Sequence, residues 1–87
     1  MHEIRSTLVA LVGIWVPSHR LLDILANLDA GETQRALIMS RYAAKGVADG
    51  VNRCRELGLP VPHSPEALRL WTRLGDLADV LPVEVAA

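Results

Sequence analysis

The chain has no phenylalanine, one cysteine, two tryptophans and one tyrosine in 87 residues. A lone cysteine, Cys54, excludes an intrachain disulfide framework and fits a reducing compartment, so a cytoplasmic location is expected. An excess of charge of one sign is also lacking: nine Lys and Arg stand against ten Asp and Glu, for a net charge of −1. Dedicated nucleic-acid binders carry a basic excess that neutralises phosphates, and the whole molecule has none. No apolar run approaches the roughly 20 residues that cross a bilayer, so no membrane association is expected. The longest, Leu8 to Val16, has nine residues. It follows His2 and Arg5 as a signal core would, but Pro17-Ser18-His19-Arg20 offers no small-x-small cleavage site, so secretion is not expected.

What is present is apolar and helix-favouring. Hydrophobic residues make up 51% of the chain and the mean hydropathy is +0.24, which excludes a disordered polypeptide. Leu, Val and Ala dominate, and Ala and Leu favour helix. This length makes one domain, which buries only about 60–65% of its unfolded surface and gains from association.

Four helical segments are legible. The first runs from about His2 to Val16, where Pro17 stops it; a wholly apolar run also suits a buried strand, but no second strand exists to pair with it. Ser18 is the expected N-cap of the second, His19 to about Leu28, with Leu21, Leu22, Ile24, Leu25 and Leu28 on one face. Asp29 and Glu32 have capping-box spacing, with Thr33 as a rival cap, for a long third helix reaching Leu57 and ending at Gly58. Its apolar arc is rich in small residues: Ala36, Ser40, Ala43, Ala44 and Gly50, with Gly46 at the border. Glycine inside a helix costs about 1 kcal/mol relative to alanine, a cost that close packing of a neighbouring helix or of a partner can offset. Three prolines from Pro60 to Pro65 make a stiff spacer. Ser64-Pro65-Glu66 then opens the fourth helix, which carries Ala67, Leu68, Leu70, Trp71, Leu74, Leu77, Ala78 and Leu81 inward and ends at Pro82. Residues 83–87 are expected to be a flexible tail to a single helical domain, 1–82.

Motifs for chemistry are few. His2, His19 and His63 are scattered, and Cys54 has no companion at zinc-site spacing, so neither metal nor cofactor is expected. Ser18 and His19 are adjacent, which does not make a nucleophile–base pair, and Gly46, Gly50 and Gly58 form no phosphate loop. No catalytic residue is identified, and the chain is not expected to be an enzyme.

The expectation is therefore an all-α, compact bundle of about four helices with a long central third helix, forming a homodimer. The first helix packs partly on the third and partly on a second copy, through Leu8, Leu11, Val12 and Trp15. The function is expected to be that of a non-catalytic protein-binding module (an inhibitor, adaptor or assembly factor of the phage or plasmid accessory kind) with Arg41, Tyr42 and Lys45 at its partner surface. Aromatic residues and arginine are enriched at binding hot spots. The alternative is a small helix-turn-helix regulator reading DNA through Thr33, Gln34, Arg35 and Arg41. From Thr33 to Gly58 five basic residues outnumber two acids. Against it stand the length of the third helix and the negative charge of Asp29 and Glu32 beside any phosphate.

Overall fold

The computed structural model describes residues 1–81, and these contain four α-helices and no strand. They are α1 (His2–Val12), α2 (His19–Asp29), α3 (Thr33–Glu56) and α4 (Pro65–Val80). The expected tail, 83–87, and the expected stop at Pro82 lie outside the described residues. The all-helical fold with a long third helix is as the sequence implies.

The helices form a ring in which α1 touches α2 and α4, and α3 touches α2 and α4. No Cα atom of α1 comes within 8 Å of one in α3, so the expected packing of the first helix on the third is replaced by a diagonal relation. Cross-contacts fix an up-down-up-down order. Arg5 near the start of α1 pairs with Asp29 at the end of α2 at 2.6 Å, and Arg41 on α3 reaches the carbonyl of Ala78 near the end of α4. The core is Ile4, Leu8 and Leu11 of α1, Leu21 and Ile24 of α2, Leu37 of α3, and Trp71 and Leu74 of α4. Thr7 and Ser40 are buried with it, and each hydroxyl donates to the carbonyl four residues back.

α1 is shorter than its apolar sequence implies. It ends at Val12, and the amides of Ile14 and Trp15 close the last turn on the Leu11 carbonyl. Gly13 and two β-branched residues are poor helix formers, and the residue before a proline is driven out of the α region. Trp15 leaves the helix to meet Trp71, while Val16 is 91% exposed.

Both ends of the α2–α3–linker path close in the same way. After α2, Gly31 takes φ +78°, its amide donates to Leu28 and the amide of Glu32 donates to Asn27. After α3, Gly58 takes φ +69°, with the Gly58 and Leu59 amides on the Arg55 and Cys54 carbonyls. These are Schellman closures, in which a left-handed residue suits glycine. The expected capping box at Asp29 and Glu32 is not formed: Asp29 belongs to α2 and pairs with Arg5, and neither Glu32 nor Thr33 caps α3 through its side chain. Ser64 does cap α4, accepting from the Ala67 amide at 3.1 Å, with Pro65 in the first turn.

α3 and α4 approach closely where a Cβ added to Gly75 would stand 3.1 Å from that of Ala44. Ala44, one of the small residues of α3, thus serves α4, and α1 stands apart from them. Arg41 locks the same pair. Its guanidinium donates to the Ala78 carbonyl at 2.8 and 2.6 Å and also to the Leu81 carbonyl, with Asp79 at 3.6 Å. These are charge-assisted bonds to carbonyls that helix geometry leaves without partners. Arg41→Met is expected to lower unfolding stability by about 1.5–3 kcal/mol in urea titration. Arg41→Lys should recover only part of that, because the planar fork is lost.

Candidate functional site

α3 outlasts its partners. At about 1.5 Å per residue its 24 residues are roughly 36 Å long, against about 16 Å for α2 and about 24 Å for α4. Its buried residues are Ala36, Leu37, Ser40 and Ala43, and none follows Ala43 although the helix continues to Glu56. Val47, Val51 and Cys54 are half-buried, and Leu57 is exposed. The apolar arc read from the sequence is therefore real in position, but only its first half is covered by the chain itself.

Two open grooves flank this half-covered ridge, and Val47, Val51 and Trp71 are common to both. The first, of about 540 Å³, lies between α3, the start of α2 and the proline linker. Trp15, His63 and Trp71 form an aromatic cluster in its wall. The Trp15 and His63 rings are 4.3 Å apart, and Trp71 meets Trp15 edge-on at 5.2 Å. Trp71 is 4% exposed and its indole Nε1, sealed from solvent, has no hydrogen-bond partner among the described residues. His19, Arg20 and Leu21 bring the first turn of α2 into the same groove. Ser18 occupies the cap position there without a side-chain cap bond.

The second groove, of about 520 Å³, runs between α3 and α4. Its α3 wall carries Arg41, Lys45 and Arg55, and its α4 wall carries Asp76 and Asp79. Val51 and Leu68 are among the apolar residues that line it.

The residues singled out from the sequence scatter across this geometry. Leu8 and Leu11 are 0% exposed, their surface spent within the chain, so they have nothing to offer a second copy. Val12 is half-buried against the core, and Trp15 is engaged with Trp71 and His63. The apolar side chains that the α1 segment does present to solvent are Val9, Ile14 and Val16. Tyr42 is 74% exposed and lines neither groove, Lys45 is exposed in the wall of the second, and Arg41 is drawn into α4. Thr33 and Gln34 are half-buried and Arg35 is exposed at the start of α3. The guanidinium of Arg41 is thus diverted from any shared DNA surface with Arg35. His19, His63 and Cys54, distant in sequence, line the first groove together. Among the described residues no three His, Cys, Asp or Glu stand close enough to share a metal ion.

Sequence reasoning missed the first groove because it depends on the turn of Trp15 away from α1. The signal available was Gly46 and Gly50, four residues apart on an otherwise regular helix. Both lie in the groove, and a Cβ at either would meet nothing within 4 Å. Among the described residues no contact requires them. Searches against protein-family models, curated proteins and solved structures find no match to this chain. Gly46→Ala and Gly50→Ala are each expected to raise stability by up to about 1 kcal/mol, read as a higher urea midpoint. Destabilisation by either would show that the helix needs glycine there for its own packing.

Proposed function

We propose that the protein is a non-catalytic protein-binding module whose docking surface is the α3–α4 groove. The observation that carries this reading is the half-covered second half of α3, where apolar side chains extend past the last buried residue, Ala43. The occupant is an amphipathic helix of another protein. Its apolar stripe lies on Val51 and Leu68, its acidic flank faces Lys45 and Arg55, and its basic flank faces Asp76 and Asp79. Opposed charged walls fix the orientation of a docked helix, while the apolar strip supplies the affinity. Tyr42, exposed and next in the chain to the groove residue Arg41, is the hot-spot aromatic. Arg41 contributes by holding α4 in place.

Support from the apolar face is physical: helices that leave such a stripe in water are stabilised by covering it. The DNA-reading alternative loses the guanidinium of Arg41 to α4, and Arg53 lies 3.6 Å from Glu56.

The test is co-purification from the native host, with the retained protein identified and its binding measured with purified components. Val51→Asp and Lys45→Glu should each weaken that complex about tenfold or more, with helix content and melting preserved. Equal binding by both variants would place the interface elsewhere. Tight, sequence-preferring DNA binding that falls steeply with salt and is lost in Arg35→Ala would replace the proposal with the regulator reading.

A further inference from the structure

The α3–α4 groove has one wall of each charge: Lys45 and Arg55 line its α3 side, Asp76 and Asp79 its α4 side. The two helices are antiparallel, and their register is fixed where a Cβ at Gly75 would stand 3.1 Å from that of Ala44. Val51 follows Ala44 by seven positions and Leu68 precedes Gly75 by seven, so the two lie at one level of the groove. Lys45 and Asp76 come directly after Ala44 and Gly75, and the helical rise keeps them within about 3 Å of a common level. A two-fold axis running along the groove, parallel to both helices, preserves these levels and exchanges the walls.

We propose that a second copy of this chain fills the groove about that axis when no other protein is bound. The α3 helix of each copy then lies over α4 of the other. Within that quartet every helix has antiparallel neighbours, as in an antiparallel four-helix bundle. Lys45 of each copy faces Asp76 of the other, and Val51 of each meets Leu68 of the other. An isologous contact needs a face that complements itself, and opposite walls at matched levels make this one do so. The charges stand at the rim and set the register, while the apolar strip supplies the affinity.

The proposal rests on the reading of this groove as a docking surface and adds how that surface is regulated. Both occupants cover Val51 and Leu68, so the homodimer and the complex with another protein exclude each other. Dilution or a tighter partner opens the groove.

The test is sedimentation equilibrium of the full chain at rising concentration. A monomer–dimer equilibrium with a dissociation constant of roughly 1–100 μM is expected, since a narrow apolar strip with charged rims gives modest affinity. Val51→Asp should stay monomeric over that range with an unchanged helical circular-dichroism spectrum. Lys45→Glu and Asp76→Lys each set like charges against one another and should weaken the dimer about tenfold or more. An equimolar mixture of those two variants should regain the wild-type affinity as a heterodimer. There the two substituted positions oppose each other with unlike charge, and so do the two untouched ones. Three results overturn the proposal: a monomer at every concentration to about 1 mM, a dimer that Val51→Asp leaves intact, or a mixture no tighter than its components. A monomeric wild type would leave docking of another protein in the groove standing. A dimer with these properties, and a partner that binds Val51→Asp and Lys45→Glu as it binds wild type, would do the reverse.

Discussion

The governing constraint is a mismatch of lengths. A four-helix ring buries each helix only as far as its neighbours extend, and the neighbours of α3, α2 and α4, have 11 and 16 residues where α3 has 24. The first half of α3 is therefore core, with Ala36, Leu37, Ser40 and Ala43 all buried. The second half is a ridge supported by α4 on one side and approached by the proline linker on the other. Apolar residues continue along the ridge, half-buried at Val47, Val51 and Cys54 and exposed at Leu57. Burial of apolar surface stabilises by about 25 cal/mol per Å², so a strip left in water is the natural place for something else to dock.

Trp71 is where this arrangement converges. It is buried in the middle of α4, it meets Trp15 from the α1–α2 connection, and through Trp15 it is linked to His63 of the linker. The early end of α1 and the stiff path from Gly58 to Ser64 both serve to bring those rings together. A cluster of this kind contributes beyond its buried area, since edge-on aromatic pairs are worth about 0.5–1.5 kcal/mol. It does so at the cost of an indole donor left without an acceptor. Strained or unsatisfied groups in native proteins concentrate at functional positions.

Local chemistry was readable in the sequence, and long-range chemistry was not. Ser64-Pro65-Glu66 announced α4 because a cap, a proline and a first-turn acid act within one turn. Gly58 announced the end of α3 because a left-handed closure requires almost nothing beyond the glycine. The run from Leu8 to Val16 misled because a uniformly apolar stretch has no periodicity to say which side faces inward. In the fold Leu8 and Leu11 are sealed in the core, while Val9 and Val16 face water. Arg41 misled for a different reason: its partners are the carbonyls of Ala78 and Leu81, whose approach depends on the path of the whole chain. The candidate grooves were visible only as an unexplained pair of glycines and an apolar arc longer than a small domain needs.

Amide hydrogen exchange along α3, followed residue by residue at dilute concentration, tests the length mismatch most directly. Protection of an amide reports the free energy of the opening that exposes it. Amides of residues 37–43 should exchange only through openings close to global unfolding. Those of residues 50–56 should exchange through local fraying, with protection lower by about two orders of magnitude or more. Uniform high protection from one end of α3 to the other would contradict the account, because it would mean that the second half is already covered.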